Sequence, residues 1–557
     1  MIGSLDASPR LARPRPAHAL RLALGWAALL VAAGFVLFWR LHDSVGVYDE
    51  GVVLHGAEIV LHGGVPYRDM WTVYAPGQLY VVAAVFRLFG ASVLSERLAD
   101  LAFRLVLALV LYGLLARLVG RRYALAAWLL LVLKLGYTGE FGYSVFPAFS
   151  SALLSGCAVL RWSTTARRRW LAVAGAGAAA CTLFRQDFGV YALLLDVTLV
   201  ALLILATPGA RALPRRTLLR RGAEPAALLL LTTTVILAPA VLYLVATAGI
   251  STLRYDLFTF PTTTLRAMRA LPPPPPDLGL LPLPGRAAAD LSAAVQLRWM
   301  EFYLPLAVYA ASSVLLVRAW RRDGPPARDC GRFWLRALLL GLGILLFSQA
   351  LSRDDEAHTL PTVLSASLLA TDLFQQAHAC ARRLPRRLLL YVALSWIVLL
   401  YVAQPVAELA HAAPYAAARC ESAVPRAACV ALDPDQLRAI RFVQQIIPAD
   451  AAIFVGNVRH DAVSLNDVAF YFLADRRSPT RYSVFDPGVI TTARVQQAVV
   501  NDISRAGVKV VVLVDAPLRP EPNGSARSSG VTILDQALRE TFRPVFASGP
   551  YSIWQKQ

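Results

Sequence analysis

The feature that most constrains this chain is a succession of apolar blocks, most of them about 15–22 residues long, separated mostly by short, arginine-rich connections. A helix rising about 1.5 Å per residue needs close to 20 residues to cross a hydrocarbon core of about 30 Å, where every backbone amide must find its partner inside the segment. In order, the blocks give about eleven candidate spans, near residues 20–39, 98–117, 123–137, 145–161, 170–184, 188–206, 225–247, 299–317, 334–351, 359–377 and 388–406. Apolar residues make up 57% of the 557-residue chain and charged residues 16%, against about 45–50% and about 25% in soluble domains. That excludes a disordered chain and an ordinary soluble enzyme, and makes the fold mostly α, a polytopic helical membrane protein.

With the N-terminus in the cytoplasm, every inside connection is rich in arginine: Arg117 with Arg121 and Arg122, Arg161 with Arg167 to Arg169, Arg211 to Arg221, Arg318 to Arg336, and Arg382 to Arg387. This bias supports an odd number of spans and an extracytoplasmic C-terminal segment. The net charge of +19 is then topological and does not point to nucleic acid, because the arginines do not line one soluble face. The first apolar run, to about Trp39, exceeds the roughly 7–15-residue core of a signal peptide and is expected to stay as the first span.

Two outside segments are long. Residues 40–97 are expected to hold two interfacial helices too short to span, Gly51–Leu61 and Gln78–Phe89. Residues 248–297 contain five consecutive prolines, Pro272 to Pro276, which favour a polyproline II spacer or rim. From about 407 the composition changes. Asp433-Pro434 opens a helix to about Ile447, Asn466–Ala474 and Thr492–Ala506 read as helices, and Ala452–Gly456 and Lys509–Val514 read as strands. The chain is therefore divided into a membrane domain, 1–406, and a small extracytoplasmic α/β domain, 407–557. No CxxC or zinc spacing occurs; Cys420 and Cys429 either pair outside the cytoplasm or are small buried hydrophobes.

The chemistry centres on Tyr48-Asp49-Glu50-Gly51, adjacent carboxylates at a helix start on the outer surface. Asp49 as a helix cap is one reading. A general base is the other: such a carboxylate takes the proton of an acceptor hydroxyl as it attacks a sugar's anomeric carbon, and a phosphate leaving group needs no second acid. The run Tyr48 to Ala57, continued by Gly64-Val65-Pro66-Tyr67-Arg68-Asp69 and Tyr74-Ala75-Pro76-Gly77-Gln78-Leu79-Tyr80, resembles the first outer loop of the GT-C glycosyltransferases. The nearest likeness is to the bacterial branch related to protein O-mannosyltransferases and the lipid A aminoarabinose transferase. The resemblance implies a polyprenyl-phosphate sugar donor, with Asp49 as catalytic aspartate and Glu50 as its acidic neighbour. No basic residue follows Glu50 directly.

Three other outer clusters are candidates for donor and substrate binding. Glu140 lies in the second outer loop, where some members of that family place an acidic residue, and reads more simply as a solvated loop carboxylate. Arg185-Gln186-Asp187 sits between two apolar runs with almost no loop, so it is either a phosphate site or a structural ion pair. Arg353-Asp354-Asp355-Glu356-Ala357-His358 is the densest polar cluster; Arg353 and Asp354 are expected near the donor phosphate, with His358 orienting it. His55, Glu58 and His62 share a helix face, which admits a divalent cation such as Mg or Mn but more simply forms a hydrated face. The resulting reading is sugar transfer from a polyprenyl-phosphate donor to a glycan, lipid or protein acceptor on the outer face of the membrane, with inversion. The rivals are a transporter or lipid-linked-sugar flippase, for which no internal repeat is found, and a non-catalytic scaffold.

Overall fold

The computed structural model describes residues 16–139, 141–207, 209–210, 213–276, 286–323, 331–381, scattered positions from 385 to 406, and then 424–449, 451–462, 465–515 and 521–557. Ten of the expected apolar blocks fall on helices: α1 (Pro16–Phe38), α4 (Val93–Val119), α5 (Arg121–Tyr137), α6 (Val145–Thr165), α7 (Arg169–Phe184), α8 (Gln186–Leu205), α9 (Arg215–Ala248), α12 (Arg286–Asp323), α13 (Gly331–Ser352) and α14 (Glu356–Cys380). The eleventh, 388–406, lies mostly outside the described residues. By length and composition six of the described helices can cross a membrane, within α4, α6, α8, α9, α12 and α13, while α1 and α7 are shorter apolar helices. The count is lower than expected chiefly through length: α5 and α7 have 17 and 16 residues, and the apolar part of α1 runs only from Ala23 to Phe38. Lys134 of α5 is neutralised by Glu301 and Glu356 from α12 and α14 at 2.6 and 2.9 Å.

The two expected interfacial helices form as α2 (Asp49–Leu61) and α3 (Gly77–Phe89). Beyond α9 the chain runs through α10 (Ile250–Arg254), two π-helical turns (Tyr255–Thr259 and Pro261–Leu265) and α11 (Arg266–Arg269). The prolines that follow are extended, as their fixed φ dictates. They are no free-standing strut, since Tyr303 Oη and Trp299 Nε1 donate to the carbonyls of Pro274 and Pro276.

The C-terminal region is an α/β domain. Helix α15 (Pro434–Ile446) is capped by Asp433, which accepts from the amides of Asp435 and Gln436. Strands β1 (Phe454–Asn457) and β2 (Val510–Val514) pair in parallel, joined through α16 (Ala469–Ala474) and α17 (Ala493–Arg505). Helix α18 (Ile533–Thr541) and an antiparallel hairpin, β3 (Phe542–Ser548) and β4 (Tyr551–Lys556), complete a sheet of order β1-β2-β4-β3. Sequence patterning misses the hairpin because its outer strand is largely solvent-facing and its inner one amphipathic. Cys429 is disulfide-bonded, and its partner lies outside the described residues.

Two apolar cores organise the molecule. One fills the helix bundle. The other joins α2 and α3 to the α/β domain, so that Leu54, Ala57, Val82 and Phe86 share a core with Phe470, Phe472 and Val511. The backbones of α2 and α16 touch: a Cβ on Gly51 would lie 2.4 Å from the amide nitrogen of Ala469, which explains the glycine that closes the acidic motif. The loop that carries the acidic motif and the α/β domain therefore lie at the same end of the bundle.

Candidate active site

Asp49 is the first residue of α2, and Tyr48, not Asp49, occupies the cap position. No side-chain cap hydrogen bond is made there. Among the described residues the Asp49 carboxylate has no hydrogen-bond or ion-pair partner, so the capping reading finds no support. The side chain reaches solvent, yet protein walls it on its other sides. That enclosure raises its carboxyl above the ordinary range; Arg269 and His358 pull it back, and the like charges of Asp486 and Asp355 push it further up. An accessible, unpaired carboxylate with raised proton affinity, set among cations, is the arrangement a general base requires.

Glu50 is turned to a different environment. It is 2% exposed, and Arg97 of α4 forks onto it, Nε to Oε1 at 2.6 Å and Nη2 to Oε2 at 2.9 Å. The amide of Gly46 donates to Oε2 at 2.7 Å. Arg97 also donates to the carbonyls of Leu41, Asp43 and Ser44. Glu50 thus fixes the loop that leads into α2. Below it lies a layer of buried charge, Glu96, Asp100 and Arg104, in which Arg104 pairs with Asp100 and donates to the carbonyls of Leu135 and Thr138.

Arg185 links α7 to α8 and is 5% exposed. It forks onto Asp187 at 3.1 and 2.8 Å, and Gln349 of α13 donates to the same carboxylate at 2.9 Å. Its guanidinium stacks on Tyr74 and Phe188, 5.2 and 4.8 Å from their ring centres. Tyr74 also feels the charge of Asp49, so Arg185 and Asp49 both lie near that ring.

Arg353 donates to Asp355 at 2.5 Å, to the carbonyl of Arg269 at 2.8 Å, and with both Nη atoms to Glu521 of the α/β domain. Asp355 caps α14 by accepting from the amide of His358 at 3.0 Å and from its Nδ1 at 2.6 Å. Against the upward push of burial, His358 and Arg353 hold the Asp355 carboxyl down at about 2. Asp354 is turned away and takes Arg298 at 2.7 Å. The structure therefore brings Asp49, Asp355 and His358 to one recess, with Arg353 and Arg185 at its margins. Glu50 and Asp354 serve other contacts, and Glu140 lies outside the described residues.

Two residues of the recess escape sequence reasoning. Arg269, at the end of α11, is the cation with the largest influence on Asp49 and makes one long ion pair, 3.3 Å to Asp486. Asp486 comes from the α/β domain. In sequence Arg269 is one of several basic residues before a proline run, and Asp486-Pro487-Gly488 reads only as a turn.

The possible cation ligands of α2 diverge. His55 stacks on Tyr471, with ring centres 4.7 Å apart. Glu58 takes Arg426, and His62 bonds the carbonyl of Glu58. Among the described residues no three His, Cys, Asp or Glu side chains converge on a point that could hold a metal ion. His55, Glu58 and His62 thus do not converge on a divalent-cation site.

No protein-family model matches the sequence, and no curated protein does. Solved structures do. ArnT from Cupriavidus metallidurans, bound to undecaprenyl phosphate, aligns over 97% of this chain and 98% of its own at 16% identity and a TM-score of 0.55. This chain has the GT-C fold. The apo form of the same ArnT agrees, over 96% and 98% of the two chains at 17% identity and a TM-score of 0.54. The likeness extends through the C-terminal domain, so in this GT-C chain the membrane helices, the acidic loop and the α/β domain form one architecture. It is mostly α and polytopic, as expected.

Proposed function

We propose that this GT-C chain is a membrane glycosyltransferase, moving a sugar from a polyprenyl-phosphate donor to the hydroxyl of a glycan, lipid or protein on the outer face of the membrane, with inversion. The observation that carries this reading is Asp49: an unpaired, solvent-reached carboxylate with raised proton affinity, facing a cluster of cations. Undecaprenyl phosphate on ArnT, the structure of like fold, supports the donor class. The arginine distribution supports the outer face.

In the proposed reaction Asp49 accepts the acceptor's hydroxyl proton as that oxygen bonds to the anomeric carbon. The bond from that carbon to the phosphate oxygen breaks, and polyprenyl phosphate leaves with the electron pair. A phosphate is a weak enough base to depart unprotonated, so a single carboxylate suffices. Arg269, whose guanidinium makes one long contact among the described residues, is the side chain best placed to take the phosphate oxygens. Arg353 and Arg185 supply flanking charge, each already oriented by a carboxylate. His358, its Nδ1 committed to Asp355, keeps Nε2 for the donor. Attack from the side opposite the phosphate gives inversion.

A membrane assay with a panel of radiolabelled prenyl-phosphate sugars, run on wild type and Asp49→Asn, tests this. Transfer from one donor by wild type and none above background by Asp49→Asn is expected. Equal transfer by both removes Asp49 from the mechanism, and no transfer from any donor removes the reading.

A further inference from the structure

We propose that Asp486, carried by the C-terminal α/β domain, is a positioning residue of the transfer centre, holding Arg269 at the recess and setting a second carboxylate beside Asp49. The inference rests on the functional reading above and makes the α/β domain part of the chemistry, not a cover over it.

Asp486 is placed with little freedom. It is 8% exposed, and its Oδ1 lies 3.3 Å from Arg269 Nη1. The residue before it, Phe485, accepts from the hydroxyl of Tyr48 at 2.9 Å, a direct link to the residue that precedes the base. From inside the domain, fully buried Asn466 accepts the Phe485 amide at 3.1 Å and donates to the carbonyl of Ser483 at 2.8 Å. Two residues later Gly488, at φ +80°, is pressed on the π-helical turn ahead of Arg269: a Cβ there would lie 2.4 Å from Thr264 Cγ2. The backbone of Arg269 is tied separately, since its carbonyl accepts from Arg353. Main chain and guanidinium of Arg269 are thus fixed from two sides, and among the described residues only Asp486 fixes the guanidinium by hydrogen bonding.

The groups that face Asp49 are Arg269, Asp486, Asp355 and His358, with Tyr48 and Tyr74 close by; those that face Asp486 are Arg269, Tyr48 and Arg353. Asp486 opposes ionisation of Asp49 and so makes it the stronger base. An asparagine at 486 can still accept from Arg269 but carries no charge. Asp49 would then feel Arg269 uncompensated and would ionise at lower pH. An alanine removes the contact as well.

Three variants, Asp486→Asn, Asp486→Glu and Asp486→Ala, are compared in detergent with wild type and Asp49→Asn. The readouts are the pH profile of transfer and the binding of undecaprenyl phosphate alone. The acid limb of kcat/KM moves down by roughly one pH unit in Asp486→Asn and returns in Asp486→Glu. Undecaprenyl phosphate binds about tenfold more weakly to Asp486→Ala. An unmoved limb in Asp486→Asn, or unchanged lipid binding in Asp486→Ala, overturns the inference. So does failure of both variants to accumulate as folded protein, which would assign Asp486 to the domain's own stability. If wild type transfers no sugar, or Asp49→Asn remains active, the functional reading itself falls; if those two behave as proposed, only the role of Asp486 is at stake.

Discussion

Asp49 and Glu50 are neighbours in sequence with the same ionisable group, yet they belong to two regions governed by opposite rules. Around Asp49 the protein leaves a carboxylate without a partner and surrounds it with cations that hold other bonds. Around Glu50, one residue on, arginines take up two of the three buried carboxyls: Arg97 forks onto Glu50 and Arg104 pairs with Asp100, while Glu96 has no partner among the described residues. The second region pays the desolvation cost of burying ions by close pairing, and gains a rigid floor. The first region keeps its unpaired carboxylate in place because that floor fixes the loop leading into α2. Adjacent acids in a motif need not share a role, and helix geometry decides which one faces the recess.

The sharpest way to break the comparison is to remove each charge in turn. Asp49→Asn is expected to lower turnover about 10²–10⁴-fold with folding intact, measured as initial rates per folded molecule. Glu50→Gln is expected to do the converse. It strands the buried Arg97 guanidinium, costs about 3–5 kcal/mol, and lowers thermal midpoint and membrane yield more than turnover per folded molecule. A stable but inactive Glu50→Gln protein would make Glu50 catalytic and end the contrast.

Acidity sharpens it further. Asp49 must be ionised to accept a proton, and its surroundings raise its carboxyl. The acid limb of kcat/KM is therefore expected above the ordinary carboxylate value of about 4, activity falling as pH drops through it. Asp49→Asn should abolish that limb.

Asp355 and Glu521 behave oppositely. Arg353 holds Glu521 at about 2, and Asp355 is also at about 2. A carboxyl depressed on folding stabilises the protein above its unfolded value, and that contribution is lost as pH falls through the folded one. The contact of Arg353 with the α/β domain should thus hold at pH 5 and loosen between about pH 4 and 2, seen as acid-dependent proteolysis between the domains. The smallest effect is expected at the partly buried end of α2, where Arg426 bridges Glu58 and Asp475. Glu58→Gln keeps an acceptor for Arg426 and leaves Asp475 to pair it, so it should lower the thermal midpoint less than Glu50→Gln, with transfer unchanged.

How much of this was legible beforehand follows from which interactions are local. The helices of the bundle, α2 and α3, the capping of α15 by Asp433 and strands β1 and β2 each leave a periodic or capping signature within a few residues. The hairpin β3–β4 does not, because β3 faces solvent along most of its length. Asp49 was found because its surrounding motif resembles a known loop, and Arg353 and His358 because charge is conspicuous beside apolar spans. Arg269 and Asp486 were not found. They are 217 residues apart, and neither has a local pattern that separates it from a surface arginine or a turn aspartate.

Sequence alone determined that the chain crosses a membrane many times, that a distinct α/β domain follows, and that an acidic motif opens a short helix outside the spans. Hydropathy and periodicity encode those properties within single segments. Tertiary structure decided which acid of the pair is free, which arginine faces it, and that the C-terminal domain reaches the recess. These depend on packing between distant segments, above all the backbone contact of Gly51 with Ala469 that brings the α/β domain onto α2 and carries Asp486 toward Arg269. Whether a charge is paired, buried or exposed is a property of such assembled surfaces, and no single stretch of sequence contains it.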